Sequence, residues 1–397
     1  MKIVYYAAAF SLILRPFMGR ILSAFILGMS VITTTGLKRL TMCVPFKELR
    51  TYAISMVVTA LILMPSAALY ADTRPLVRVA VLQFGTVNWE MDVIRHHRLD
   101  EKYHFSLEVM PVGSKNASAV ALQSGAVDLI YGDWVWVNRQ RFNQRLFGFS
   151  PVSSATGGLY VQADSPASSL DELLNYWLQN AEAKRLRLGI AGGSVDKSWL
   201  LLQAYSKQVL GRDMVAAIEP VFAAPPLLNQ LMYDSKLPAS LNFWHYSARL
   251  KARGFKPILT VEEMIKGLGV KHQVPLLGWI FTDEMLQQQQ ASLGAFLNAS
   301  RAARQILLTS DAEWQRIRHL TRAEDEHIFT ALKQGYRAGV QQQFGVTELD
   351  GLATLYGILA QEGGKKLTGG AQTLDRALFW MPDATLGMRQ VDARRVP

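Results

Sequence analysis

The stretch LGIAGGSVDKSWLLL, residues 188–202, decides how the chain is read. It opens inside an apolar strand, RLGIA at 187–191, turns through Gly192-Gly193-Ser194, and runs on as a long helix to Leu210, where Gly211 stops it. A strand that turns straight into a helix leaves free backbone N–H groups and the positive end of the helix dipole at the turn. The glycines permit close backbone approach, and the Ser194 hydroxyl is placed to cap the helix. Gly193, Ser194 and Asp196 are therefore candidate contacts for a carboxylate, a sulfonate or a similar anionic group. The plainer alternative is a capped strand-to-helix turn with no ligand. A nucleotide P-loop is excluded, because Ala191 and Asp196 stand where that motif needs glycines ahead of Lys197-Ser198, and Asp196 would repel phosphate.

The same strand-then-helix pattern repeats on both sides. Upstream, LVRVAVL (76–82) reads as a strand before a helix opening at Asn88–His97. Phe105–Met110 reads as a strand before Lys115–Ser124, and Val127–Tyr131 as a strand before Trp134–Arg145. Downstream, Ile218–Phe222 and Ser240–Trp244 read as short strands around the helix Pro225–Met232. Leu276–Phe281 is a further strand, and the chain to about Gln361 is mostly helical. Strands alternating with helices imply parallel βαβ units. An α/β fold of two lobes, each a mostly parallel sheet flanked by helices with a cleft between them, fits this order. Lobe one would take 76–160 plus 276–365 and lobe two 161–275, with 366–397 as a looser C-terminal tail. Ligands of such sheets bind outside the carboxyl ends of the strands. This draws Gly85, Thr86 and Trp89 after the first strand into the candidate site. Asp133 and Trp134 follow from the third strand, Thr156 from the crossing between lobes, and Asn242 and Trp244 from a strand end in lobe two. For Asp133 a helix cap competes with ligand contact, and for Trp89 packing beneath its own helix does.

The 397 residues carry a net charge of +10, but seven basic residues against one acid place +6 of it in residues 1–71. A nucleic-acid partner loses its support with that asymmetry. The leader holds three apolar runs, Ile3–Leu14, Ile21–Ile32 and Ala53–Met64. The third has a secretory-signal layout: Lys47 and Arg50 before it, Pro65 after it, and small residues up to a cut after Ala71 or Ala68. A start at Met42 would make this leader compact, whereas residues 1–35, if retained, would tether the protein to a membrane. The single cysteine, Cys43, lies in the leader, so a disulfide scaffold and a cysteine metal site are excluded from the exported part.

The segments VRVAVLQFG, LQSGAVDLIYGD (122–133), SSATGGLYV (153–161), LGIAGGSVDKSWLLL and LPASLNFWHYSARL (237–250), in this order behind an export signal, carry a resemblance. The chain from about 76 to 365 resembles the periplasmic substrate-binding proteins of ATP-driven (ABC) importers. It is most similar to the nitrate/sulfonate/taurine branch with the type II two-lobed fold. The resemblance implies capture of a small-molecule ligand in the interlobe cleft, closure by hinge motion, and delivery to an ABC permease in the inner membrane; an aromatic wall meeting a helix N-terminus would suit a small organic anion or zwitterion, with a cation held over the tryptophans as the alternative. The resemblance also implies a periplasmic monomer with no cofactor and no catalysis. Three alternatives stand beside it: an enzyme on the same fold, such as a pyrimidine-precursor synthase, for which Lys197 near Ser194 is the candidate reactive group; a periplasmic sensor subunit; and a membrane-tethered binding protein. The seven histidines show no metal-binding spacing, and His96 and His97, adjacent on a helix, are expected to point apart.

Overall fold

Two five-stranded sheets organise the chain. In the computed structural model the described residues are 74–180, 186–341 and 343–382, within one unit that begins at Asp72. The leader, its cleavage site and the last part of the tail lie outside them. Sheet one contains β1 (Leu76–Leu82), β2 (Ser106–Val112), β3 (Leu129–Asp133), β4 (Phe147–Ser153) and β10 (Leu277–Thr282), in the order β2-β1-β3-β10-β4. Sheet two contains β5 (Gly158–Val161), β6 (Leu186–Ala191), β7 (Ile218–Ala223), β8 (Ala239–Asn242) and β9 (Lys256–Thr260), in the order β7-β6-β8-β5-β9. The two orders follow one plan. β1 pairs in parallel with β2 and β3, as β6 does with β7 and β8. The reversed strand in each sheet is the one that follows a crossing between lobes: β5 after residues 154–157, and β10 on the return. Four strands of each five thus share a direction, and the fold is two-lobed α/β.

Three strands are not read from the sequence: β5, a four-residue GLYV run, and β4 and β9, whose FGFSPVS and KPILT carry proline, which cannot donate to a ladder. β4 and β9 are edge strands, where that loss is tolerated. Proline in fact occupies all four edges, as Pro111, Pro151, Pro220 and Pro257, and no interior strand.

The crossing at 154–157 is tightly built. A Cβ on Gly157 would lie 1.7 Å from the Asn242 carbonyl oxygen, so only glycine passes. The Ser154 amide and the Ser153 hydroxyl both donate to the Gly339 carbonyl, at 2.9 and 3.1 Å, tying the crossing to the end of helix Glu326–Gly339.

The C-terminal region departs from the expected loose tail. Helix Val346–Thr368 kinks at Gly364, where φ is +52°. Before the kink Glu362 pairs with Lys207 of lobe two at 2.8 Å; after it, Gly369 and Gly370 lie against Arg139 and Phe142 of lobe one. The chain then docks on lobe one. Asn138 donates to the Thr373 carbonyl and accepts from the Asp375 amide, Arg141 pairs with Asp375, and Phe379 bridges alongside Phe149 of β4. Asn138 is buried on helix Trp134–Phe142, and its fixed amide accounts for this ordered path. No helix among the described residues is long and apolar enough to cross a membrane.

Candidate functional site

The carboxyl ends of β1, β3 and β4 and those of β6 and β8 face one another across the lobes, and side chains span the gap. Asp133 ends β3; Lys197 opens helix Lys197–Gln208 behind β6. Their charges meet at 3.0 Å with only 17% and 15% of each side chain exposed. Burial alone would raise the Asp133 pKa, but Lys197, Lys115 and the Trp136 amide outweigh it and hold the carboxyl below its usual value. Burial would likewise lower Lys197, but Asp133 and then Asp196 keep the ammonium above its usual value. A second crossing contact sets Lys115 Nζ over the Phe243 ring, 5.4 Å from its centre. A third places Trp244 edge-on against Trp89 at 6.1 Å.

The glycine turn at 192–193 is filled from within. Gly192 and Gly193 take φ of +92° and +110°. A Cβ on Gly192 would lie 2.4 Å from an Asp196 carboxylate oxygen, so the glycine makes room for that side chain. Asp196, not Ser194, caps the helix, accepting from the Ser198 amide at 2.9 Å; Ser194 is exposed one turn earlier. Asp196 and Asp133 together supply the negative charge that a helix N-terminus favours. Of the two sequence readings of this turn, this geometry fits the capped turn, with Asp196 in place of Ser194 as the cap. The protonated Lys197 is also the wrong state for a nucleophilic amine.

A cavity lined by residues of both lobes lies beside Thr86. It is narrow and partly open to solvent, and its lining includes Thr86, Glu90, Tyr131, Ser153, Trp244, Arg304 and Tyr336. Glu90 sits in the first turn of helix Val87–His96 and is 3% exposed. Tyr336 donates to one of its oxygens at 3.0 Å; Ser300 and Arg304 donate to the other at 3.2 and 3.1 Å. Ser300 in turn accepts from Trp279 Nε1 at 2.9 Å and from Arg304 at 2.6 Å. Both Glu90 oxygens thus have donors, which is what makes a buried charge pair tolerable. Burial first, and Glu90 second, push the Tyr336 and Tyr131 phenols well above their ordinary pKa, so both remain O–H donors.

Of the sequence candidates, Thr86 and Trp244 meet in this cavity. Thr156 lies in a different one at the crossing, with Lys266, Lys271 and His272. Trp89 is core: it is 4% exposed, packs on Trp314 and Tyr336, and donates to the Leu320 carbonyl. Trp134 is fully buried and donates to the Pro275 carbonyl at 3.0 Å. Asn242 spends its amide on Pro225, Asn229 and the Phe243 amide. Gly85 is used in a turn, donating to Leu82 and accepting from Asn88. Asp133 is both a cap, accepting from the Trp136 amide at 3.0 Å, and the partner of Lys197. The sequence reading missed Glu90, Arg304, Tyr131, Ser153 and Tyr336. A signal existed for one pair: Ser300 and Arg304 interrupt the apolar face of helix Gln290–Thr309 that Leu293, Phe296, Leu297 and Leu307 define.

Comparison with solved structures settles the architecture. A putative periplasmic sulfonate-binding protein of Methylobacillus flagellatus matches over 78% of this chain and 92% of its own, at 15% identity and a TM-score of 0.56. The ligand-binding component of an ABC-type import system from Staphylococcus aureus, with zinc bound, matches over 78% and 97%, at 13% identity and 0.56. The periplasmic aliphatic sulphonate-binding protein of Escherichia coli matches over 75% and 100%, at 12% identity and 0.55. The fold is that of the two-lobed periplasmic binding proteins. No protein-family model matches the chain, and no curated protein matches it.

Proposed function

We propose that this protein is an exported solute-binding component of an ABC importer that captures a small zwitterionic organic molecule between its lobes. The observation that carries the reading is the cavity whose wall joins Trp244 of lobe two to Thr86, Glu90, Arg304 and Tyr336 of lobe one. A pocket lined by both lobes gives a ligand more contacts when the lobes meet than when they part, and that difference is what drives closure. The lining pairs one buried carboxylate with one buried guanidinium and adds two phenol donors and an indole face. It carries no net charge, so it favours a ligand whose own charges cancel over a bare anion. Delivery to a permease is supported by the fold shared with importer components and by the signal-like leader.

A thermal-shift screen of amino acids, betaines, aminosulfonates and simple carboxylates, read beside native mass spectrometry, tests this. A ligand at a hundredfold excess over its dissociation constant stabilises by about 2.7 kcal/mol. Stabilisation by a zwitterion, abolished in Trp244→Ala, is the expected result. Stabilisation only by bare anions would overturn the ligand class, and turnover of any compound would overturn the binding role.

A further inference from the structure

We propose that His96, His97 and Glu313 form a surface site for a divalent transition metal of the zinc class, separate from the cleft. The helix Val87–His96 ends at His96, and His97 leaves it with φ −88° and ψ 7°. Contrary to the expectation that adjacent residues point apart, the two imidazoles stand edge to face with centres 4.9 Å apart. Glu313, from the first turn of helix Asp311–Thr321, completes the group. His97 Nε2 lies 3.1 Å from Glu313 Oε2, and one donor atom from each residue falls within 4.8 Å of the others.

The chemistry of this donor set selects its ligand. Two imidazoles and one carboxylate suit zinc, nickel or copper, whereas calcium and magnesium want oxygen ligands. Metal–ligand bonds of about 2.0–2.2 Å place tetrahedral donors about 3.4 Å apart. The His97–Glu313 pair, at 3.1 Å, is close to that spacing, and the third donor, on the exposed His96 ring, lies within 4.8 Å of both. Arg316 occupies only Glu313 Oε1, at 2.9 and 2.6 Å, which holds the carboxylate in place and leaves Oε2 to His97 or to a metal. The carbonyl end of helix Val87–His96 also favours a cation. Three protein ligands leave a fourth position for water. The site lies at the opposite end of that helix from Thr86, about 15 Å along its axis, so it stands or falls independently of the proposed ligand.

The test titrates the untagged full chain with zinc chloride by calorimetry, and with cobalt(II) by visible absorption. One zinc per chain and a tetrahedral cobalt band are expected. His96→Ala and His97→Ala should each weaken zinc by more than about tenfold, since even outer partners of a ligand are worth that much. Glu313→Gln strands Arg316 and so risks the fold. His96→Ala carries the decision because His96 contacts only the His97 ring within this group. No saturable zinc binding by the wild type, or binding untouched in both histidine variants, would overturn the site.

Discussion

Lys197→Met removes the ammonium that meets Asp133 across the cleft, and it tests whether that contact couples the lobes. At 3.0 Å, Coulomb's law with an effective dielectric near 20 gives about 5 kcal/mol for the pair. Stripping one member of a buried pair costs about 3–5 kcal/mol, mostly because the other charge is left without its partner. Here Lys115 also faces Asp133, and some water reaches both groups. The expected loss is therefore about 2–3 kcal/mol, measured by urea unfolding at neutral pH. Asp133→Asn keeps a capping side chain and leaves Lys197 beside Asp196, so its cost should be similar or smaller. The double variant should lose less than the sum of the singles, by about 1 kcal/mol or more. Acid supplies an internal check. The folded pKa of Asp133 is depressed, so its contribution is complete above the ordinary carboxyl range and disappears as pH falls through the folded value. The gap between wild type and Lys197→Met should close in acid. Strict additivity of the two single variants, or a gap that ignores pH, would refute the coupling.

Other substitutions probe the remaining architecture. Tyr336→Phe takes a donor from buried Glu90 and should cost about 1–2 kcal/mol in the same unfolding assay. Gly157→Ala drives a methyl into the Asn242 carbonyl and should cost about 3 kcal/mol or more, whereas Gly113→Ala, in open space, should stay within about 0.5 kcal/mol. Burial, with Arg249 adding to it, pushes the His245 imidazole down to about 3. The unfolded chain then takes up a proton that the folded one refuses, so stability falls as pH drops from about 6.5 towards 3. His245→Asn, which does not titrate, should flatten that slope in urea midpoints measured across the range.

The α/β alternation was legible because most strands are short apolar runs set between helical patterns. The strands that escaped notice were short or interrupted: the four-residue β5, and β4 and β9, whose runs contain proline, although Pro220 did not hide β7. The candidate site was legible only in part. Strand-end logic found Thr86 and Trp244, because position along a strand can be read from a sequence. It could not say that Trp89 and Trp134 turn under their helices, since an indole at a strand end serves a wall or a core equally well. Nor could it join Glu90 to Arg304, which are 214 residues apart. The turn at Gly192 was located from the sequence, with a capped turn and a ligand contact both left open and the cap assigned to Ser194 instead of Asp196. Whether a helix N-terminus meets a ligand anion or a side-chain carboxylate depends on where Asp133 and Asp196 point.

The four edge prolines bear on how the protein behaves in a crowd. A bare strand edge offers a row of N–H and C=O groups on which a strand of another molecule can grow. Each proline deletes one donor from that row, and Phe379 also lies along β4. Molecules abundant enough to jostle one another can therefore collide edge to edge without zipping together, and a crossing-rich chain still finding its fold is guarded at the places where mispairing with a neighbour would begin.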